Sequence, residues 1–276
     1  MFEIISKKQI TDNEFDITVS APRIANHAKA GQFVVLRVGD KGERIPLTIA
    51  DYDTEAGTIR LIFQVVGKST ALLSGLNAGD NITDVAGPLG MPSEIENYGT
   101  VLMVGGGVGI AALFPIIKAL KKAGNEVITV LGGRNKDLII LQEECKKYSD
   151  EVIFTTNDGS LGMKGLVTDA MQLVSEREEQ KIDKCWAIGP SIMMKFCATK
   201  CRELSLPCVV SLNPLMVDGT GMCGCCRVTV GNKIFFACVD GPEFDGLAVD
   251  WDEFLARSKQ YKDEETLSFN NYKEGK

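Results

Sequence analysis

Nine cysteines occur in the 276-residue chain, but none precedes Cys145 and four fall within sixteen residues near the C-terminal end. These four are Cys223, Cys225, Cys226 and Cys238. A secreted disulfide scaffold spreads its bridges over a short chain, whereas this chain is long and has no thiol in its first half. The concentration of cysteines therefore predicts a metal site in the last quarter of the chain.

The spacing around these cysteines indicates which metal centre they suit. A plant-type [2Fe–2S] site has the spacing C-x4-C-x2-C, with a fourth cysteine farther along the chain. Cys223 and Cys226 match the second and third positions, and Asp218 occupies the first. Three glycines between Asp218 and Cys226 suit a loop whose backbone wraps a cluster and points amides at its sulfides. The stretch predicts a [2Fe–2S] loop, with Asp218 as the first candidate ligand.

A hairpin brings the fourth ligand to this loop. Gly231-Asn232 is a favoured two-residue turn between the apolar runs 228–230 and 233–236. Pairing Val230 with Lys233 places residue 226 opposite residue 237, so that Cys238 lies beside Cys226. The predicted metal ligands are therefore Asp218, Cys223, Cys226 and Cys238.

Zinc is the alternative metal for this segment. A zinc site could use Cys223, Cys226 and Cys238 with either Asp218 or Cys225 as its fourth ligand. Structural zinc is usually held by two C-x2-C arms, and only one such arm is present here. The spacing therefore favours iron–sulfur, and Cys225 remains the alternative to Asp218.

The other five cysteines lie in apolar or helical contexts, where a free cysteine usually acts as a small core hydrophobe. Cys197 and Cys201 are four residues apart and share a face of the expected helix. Local spacing supplies no two further ligands beside them. A second metal site is therefore not predicted.

The chain before the cluster segment has two differently patterned parts. Residues 1–97 consist of short alternating runs separated by turn residues, which is typical of an antiparallel β-barrel or sandwich. Residues 98–212 alternate apolar runs with helical stretches, which predicts a parallel sheet with crossover helices. Residues 213–245 form the cluster-binding segment, and residues 246–276 a C-terminal helix followed by a loose polar tail.

A glycine-rich turn opens the first helix of the α/β part. From Gly107 to Ala112 it matches G-x-G-x-x-A after an apolar strand, where a pyrophosphate can bind helix N–H groups. The second strand ends in Gly133 and Arg134, without the acidic residue of the full fingerprint, so a turn without a ligand remains an alternative. Further candidate contacts follow the later strands, at the edge of the sheet where ligands bind. They are Asn157, Asp158, Gly189 and Pro190.

Composition excludes several other classes of function. The net charge of −7 and the absence of a long Lys/Arg run argue against nucleic-acid binding. No apolar stretch reaches the roughly 18 residues of a membrane span. The first residues lack a basic start followed by an apolar core, so we expect a cytoplasmic protein.

Two segments of the N-terminal part complete an ordered series of motifs, Arg44-Ile45-Pro46-Leu47-Thr48 and Val65-Val66-Gly67-Lys68-Ser69-Thr70. Over about residues 1–250 the series resembles the ferredoxin–NADP reductase superfamily, in which an FAD-binding β-barrel precedes a nucleotide-binding α/β domain. The chain is most similar to two kinds of electron-transfer subunit in that superfamily. One is that of dihydroorotate dehydrogenase. The other is the small subunit of NADH-dependent reduced ferredoxin:NADP⁺ oxidoreductase, also described as sulfide dehydrogenase.

The resemblance implies a role for each motif. It places Arg44 near the FAD phosphates, Thr48 near the isoalloxazine ring, and the helix start at Gly67 against the pyrophosphate. The FAD-binding residues that it implies are Arg44, Pro46, Leu47, Thr48, Val65, Gly67, Lys68, Ser69 and Thr70. The NAD(H)-binding residues, which include the glycine turn and the strand ends above, are Gly105, Gly106, Gly107, Val108, Gly109, Gly133, Arg134, Asn157, Asp158, Gly189, Pro190 and Met193.

Asp218 favours the ferredoxin:NADP⁺ oxidoreductase type, because the dihydroorotate type has cysteine at that position. The resemblance implies that hydride passes between NAD(H) and FAD, and that single electrons pass through the [2Fe–2S] cluster. These electrons pass to or from a larger flavin and iron–sulfur subunit, which exchanges electrons with ferredoxin. His27, the only histidine, is expected at the surface. The alternatives are a dihydroorotate dehydrogenase electron-transfer subunit and a zinc-stabilised nucleotide-binding regulatory module.

Overall fold

The N-terminal part of the chain is a nearly closed antiparallel sheet. The computed structural model describes residues 2–177 and 181–275. The seven strands of this sheet are β1 (Phe2–Thr11), β2 (Glu14–Ser20), β3 (Phe33–Arg37), β4 (Arg44–Asp53), β5 (Thr58–Gln64), β6 (Asn81–Ile82) and β7 (Asp84–Leu89). They pair in the order β6-β1-β2-β5-β4-β3-β7, and every pair is antiparallel. The predicted barrel is confirmed.

Alternation along the strands fills the interior of this barrel. On β2 the side chains of Ile17 and Val19 are fully buried, as are Ile59 and Leu61 on the neighbouring β5. Their period of two is what places them on one face of the sheet. A short helix, α1 (Pro22–Ala25), and a longer one, α2 (Lys68–Gly75), add Ile24 and Leu73 to the same buried core.

The central part of the chain forms a second sheet from strands that alternate with helices. Its parallel strands are β8 (Thr100–Gly106), β9 (Glu126–Gly133), β10 (Glu151–Thr156), β11 (Met163–Lys164), β12 (Lys184–Ile188) and β13 (Cys208–Ser211). The intervening helices are α3 (Gly109–Lys122), α4 (Gln142–Tyr148), α5 (Val167–Ser175) and α6 (Ser191–Glu203), with a 3₁₀ turn at Lys136–Leu138. The strand order is β11-β10-β9-β8-β12-β13, which confirms the predicted parallel sheet.

The cluster segment contributes a hairpin and one more strand. The hairpin pairs β14 (Arg227–Val230) with β15 (Lys233–Phe236), and Val230 lies opposite Lys233 as the turn residues predicted. Strand β16 (Glu243–Asp245) then pairs antiparallel with β13. The parallel sheet therefore has an antiparallel edge strand that the sequence pattern did not reveal.

Two helices follow the hairpin. Helix α7 (Trp251–Arg257) packs on β14 and α6, and buries Trp251 and Phe254. Helix α8 (Lys262–Lys273) forms where a loose polar tail was expected, and it packs against α2. Its first turn is acidic and its last turn contains Lys273, an arrangement that complements the helix dipole. In the described ranges, no helix combines the length and apolarity needed to cross a membrane.

The barrel is attached to the α/β part by charged and apolar contacts. Arg60 on β5 donates to Asp16 at 2.7 Å and to Glu144 of α4 at 2.8 Å. Lys118 on α3 donates to Asp51 of β4 at 2.8 Å. Ala30, Ala50 and Ile62 of the barrel are buried in the same cluster as α3. The two sheets therefore share a packed boundary.

Candidate cofactor sites

The glycine turn between β8 and α3 is shaped by very close backbone packing. A Cβ on Gly109 would lie 2.5 Å from the Cα of Gly189, and one on Gly106 would collide with the sulfur of Met193. Gly107 has a φ of 53°, in the left-handed region that favours glycine. The structure thus brings together the predicted residues of the first turn and of the Gly189-Pro190 turn. No side chain caps the start of α3, and Val108 and Gly109 are partly exposed there, an arrangement that suits a pyrophosphate.

The ends of β9 and β10 form the adjoining part of this edge. The N–H of Asn157 donates to the carbonyl of Gly133 at 3.2 Å, and that of Asp158 donates to the carbonyl of Arg134 at 3.3 Å. The side chains of Arg134, Asn157 and Asp158 are exposed. Hydrogen bonds from Ser160 hold the pKa of the Asp158 carboxyl below its usual value. All the strand-end residues predicted to contact a nucleotide therefore lie along one edge of the sheet.

In the barrel, α2 begins beside the start of β4. The hydroxyl of Thr70 accepts the N–H groups of Val66 and Gly67 at 3.0 and 3.1 Å, which caps the helix. The hydroxyl of Ser69 donates to Glu43 at 3.3 Å, so the helix start adjoins the residue before Arg44. Sequence reasoning did not single out Glu43, because nothing in its local pattern distinguishes it from a solvated charge.

The predicted phosphate contacts therefore lie close together. Arg44 is exposed, and Pro46, Leu47 and Thr48 follow it along β4 with partly exposed side chains. Helix α2 leaves its first backbone N–H groups at the same end of the barrel. A guanidinium beside a helix N-terminus is well suited to phosphate oxygens. The residues present thus fit a dinucleotide phosphate at this place.

The loop before the hairpin is held closed by Asp218. Its carboxylate accepts the N–H of Thr220 at 3.0 Å, that of Met222 at 3.0 Å and that of Cys223 at 2.9 Å. These bonds, with that from Thr220 the largest contribution, lower the pKa of the carboxyl. Three glycines in the loop have positive φ, which allows the tight wrapping. They are Gly219, Gly221 and Gly224.

The four predicted metal ligands form two pairs. The sulfurs of Cys226 and Cys238 are buried and lie 3.2 Å apart. The other pair is Asp218 and the exposed Cys223, whose backbone N–H donates to the Asp218 carboxylate. Within the described residues, no three of these four ligands have their donor atoms within 4.8 Å of one another. One pair for each iron is what a two-iron cluster requires, whereas one zinc ion needs all four donors around a single point. The donor arrangement fits [2Fe–2S] better than zinc.

Cys225 differs from these ligands in its surroundings. The neighbouring Cys223 thiol raises the pKa of Cys225, whereas a hydrogen bond from the Cys225 backbone lowers the pKa of Cys223. Arg257 of α7 donates to the carbonyl of Cys225 at 3.1 Å and ties the loop to the C-terminal helix. Cys223 is therefore the more readily ionised thiol, as a metal ligand must be.

The cluster loop lies on the barrel. A Cβ on Gly219 would lie 2.7 Å from the side chain of Leu89 on β7 and 3.1 Å from that of Val35 on β3. Past the hairpin, the carbonyl of Gly241 accepts the N–H of Met91 at 2.6 Å. The cluster segment thus bridges the barrel and the α/β sheet.

His27 is exposed on the barrel, which confirms its expected surface position. Its Nδ1 lies 2.8 Å from the carbonyl oxygen of Arg23.

Two protein families match parts of this chain. Residues 103–199 match the oxidoreductase NAD-binding domain. Residues 213–250 match the iron–sulfur cluster binding domain of dihydroorotate dehydrogenase B. The two domain families therefore cover the glycine turn and the ligand loop respectively.

Similar chains extend over the whole length. A protein of Thermotoga maritima named dihydroorotate dehydrogenase B (NAD(+)), electron transfer subunit homolog is 58% identical over 98% of this chain and 95% of its own. The electron transfer subunit of dihydroorotate dehydrogenase B from Desulforamulus reducens is 33% identical over 91% and 97%. A solved structure of NADH-dependent reduced ferredoxin-NADP oxidoreductase is 56% identical, covers 99% of this chain and 98% of its own, and superposes with a TM-score of 0.94.

Proposed function

Because the chain belongs to the family of dihydroorotate dehydrogenase B electron transfer subunits and their homologs, we propose that it passes electrons between NAD(H), FAD and a [2Fe–2S] cluster. The observation that carries this proposal is the seating of the cluster loop on the barrel. Gly219 lies against Leu89 of β7 and against Val35 of β3, the strand that pairs with β4 of the predicted flavin site. The residues that would hold the cluster therefore pack against the strand beside the one that would hold the flavin.

The chain's own residues act by binding and orienting. Arg44 and the start of α2 hold the flavin phosphates, and the turn at Gly107 with Gly189 holds the nucleotide against the same boundary. When bound, FAD exchanges hydride with a nicotinamide and single electrons with an iron–sulfur cluster. The protein supplies proximity and no general acid or base. The cluster would be held by two pairs of ligands, Asp218 with Cys223 and Cys226 with Cys238.

The partner is a larger flavin and iron–sulfur subunit, through which ferredoxin exchanges electrons, in the cytoplasm. Asp218 at the first ligand position and the similarity to the ferredoxin-NADP oxidoreductase structure favour the electron-bifurcating type. The names of the sequence relatives support the second candidate, an electron transfer subunit of dihydroorotate dehydrogenase. The two candidates share the chemistry of this chain and differ in its partner.

Two measurements test the proposal. The complex is purified anaerobically from its native host, and the chain that accompanies this one is identified by mass spectrometry. A chain with iron–sulfur and flavin sites supports the bifurcating type, whereas a dihydroorotate dehydrogenase subunit supports the second candidate. The absorption spectrum and acid-labile sulfide of this subunit then test its cofactors. Zinc in place of iron and sulfide, or the absence of flavin bands, would refute the electron-transfer proposal.

A further inference from the structure

A second group of cysteines lies far along the chain from the cluster loop. The sulfurs of Cys185, Cys201 and Cys208 all lie within 4.8 Å of one another, and all three side chains are buried. Cys185 and Cys208 face each other at the starts of the parallel strands β12 and β13, and Cys201 lies in the last turn of α6. Nucleotide-binding loops follow the opposite, carboxyl ends of these strands.

The turn that joins α6 to β13 brings these thiols together. The N–H of Leu206 donates to the carbonyl of Cys201 at 2.8 Å, and that of Cys185 donates to the carbonyl of Pro207 at 2.9 Å. The first bond closes the turn on the end of α6, and the second fixes the turn against the start of β12. Three donors from three separate elements are therefore presented to one point by a rigid part of the core.

The surroundings of the three thiols are apolar. They belong to one buried cluster with Leu206 and Val210, and a Cβ on Gly246 would lie 3.2 Å from the sulfur of Cys208. In the described ranges, no histidine or carboxylate joins them as a fourth ligand.

We propose that Cys185, Cys201 and Cys208 form a three-coordinate site for a single soft metal ion, Cu(I). Thiolates select soft ions, and zinc in proteins is almost always four-coordinate, whereas no fourth donor accompanies these three. Three sulfurs around one ion with bonds of about 2.3 Å are roughly 4 Å apart. The observed separations, all within 4.8 Å, are compatible with that geometry. Binding releases protons from the thiols, so uptake weakens as the pH falls.

The test uses the flavin- and cluster-loaded protein without oxygen. It is incubated with Cu(I) buffered by a chromophoric chelator, and copper and iron are then measured per chain. The variants are Cys201→Ala, Cys185→Ala and, as a matched control, Cys197→Ala. Cys197 is as deeply buried as Cys201 and lies on the same helix, α6, but it is not one of the three clustered thiols.

We expect the unaltered protein and Cys197→Ala to take up one more copper per chain than Cys201→Ala or Cys185→Ala, with iron unchanged in all four. X-ray absorption of the copper-loaded protein should show three sulfur neighbours, a result that needs no variant to fold. Equal uptake by all folded variants, loss of iron in proportion to copper uptake, or no uptake would each overturn the proposal.

Discussion

The nucleotide turn and the cluster loop are both rich in glycine, but Gly109 in the first and Gly224 in the second serve different purposes. At the nucleotide turn, any side chain at position 109 would clash with the backbone of Gly189, which lies against Gly109. In the cluster loop, Gly224 has a φ of 69° with no backbone nearby, so its conformation matters more than its size. Around Gly109 the nucleotide turn is shaped by packing, whereas around Gly224 the cluster loop is held in shape by the hydrogen bonds of Asp218 and by the predicted ligands.

This difference predicts where each site is vulnerable. A site shaped by packing fails when volume is added, even far from any charged group. A site shaped by ligands fails when one donor atom is removed, with little effect on the surrounding fold. The following substitutions test that contrast, from the largest expected effect to the smallest.

The largest effect is expected at Asp218. Asp218→Ala removes a donor and the bonds that close the loop, so the cluster should become labile, with iron affinity lowered roughly 10- to 100-fold. Asp218→Cys should retain the [2Fe–2S] cluster with a changed spectrum and potential, because a thiolate is a softer donor than a carboxylate. Iron, labile sulfide and electron paramagnetic resonance measure both outcomes.

Cys225→Ser is the matched control for the Asp218 variants. It should leave the cluster spectrum unchanged, because the two ligand pairs do not include Cys225. If Cys225→Ser perturbs the cluster while Asp218→Cys leaves its spectrum as it was, Asp218 only caps the loop and Cys225 is the fourth ligand.

At the packed site, Gly109→Ala should push α3 away from the turn at Gly189. We expect a loss of about 1–3 kcal/mol in stability, the usual cost of overpacking, together with weaker NADH binding. Thermal unfolding and NADH titration measure the two effects. Gly75→Ala is the control, because no atom lies within 4 Å of its added Cβ; it should change neither quantity adversely. Equal behaviour of the two variants would disprove the packing argument.

The flavin site combines both kinds of construction, a helix start and one cation. Arg44→Ala should raise the dissociation constant of FAD roughly 10- to 100-fold, since hydrogen bonds to charged groups contribute about 1.5–3 kcal/mol. The fold should persist. Arg37, opposite Arg44 on β3, is paired with Asp84, so Arg37→Ala should retain FAD normally. Unchanged flavin affinity in Arg44→Ala would show that the phosphate assignment is wrong.

Nucleotide choice depends on an exposed side chain at the packed site. The end of β9 lacks an acidic residue and carries Arg134, which by the general rule favours NADP. The family resemblance instead implies NAD(H), and we expect faster diaphorase turnover with NADH. Arg134→Ala should change the NADH rate little. A roughly tenfold preference for NADPH in the unaltered protein would contradict this expectation.

The smallest effect concerns Glu243 of β16, which contacts Ser93 and Trp186. Its carboxyl accepts a hydrogen bond from Ser93 at 2.5 Å and one from Trp186 at 3.3 Å, and its enclosure raises its pKa. The folded state therefore holds this proton more tightly than the unfolded state. That contribution to stability is complete below the unfolded pKa and is lost as pH rises through the folded pKa.

Glu243→Gln should remove this pH dependence, because an amide stays neutral: its oxygen can accept the bond from Trp186, and its nitrogen can donate to the hydroxyl of Ser93. The difference in unfolding free energy between the variant and the unaltered protein should shift in favour of the variant as the pH rises from about 4.5 to 7. Urea unfolding at several pH values measures it. Parallel stability curves for the two proteins would show that Glu243 does not titrate in this range.

Local chemistry explains which features were predictable from sequence. A two-residue turn determines the register of a hairpin, so the position of Cys238 beside Cys226 followed from Gly231-Asn232. The order of motifs likewise indicated the barrel and the parallel sheet. Each of these features depends on residues that are neighbours in the chain.

Features that depend on distant residues were not predictable. Helical spacing paired Cys201 with Cys197, whereas the structure groups Cys201 with Cys185 and Cys208 on two strands. Strand β16 is only three residues long and owes its place to pairing with β13. Helix α8 is polar, and its packing on α2 could not be inferred from its own pattern.

The charged contacts of Arg60 have a consequence for how nucleotides exchange. Arg60 joins strands of the barrel to α4, and Lys118 makes a second such link to Asp51. Swinging the barrel away from the α/β sheet would break both links and expose the apolar boundary between them. We therefore expect the nicotinamide ring to enter through rearrangement of a few side chains at the edge. Turnover would then depend little on solvent viscosity, unlike that of an enzyme whose halves open and close around each substrate.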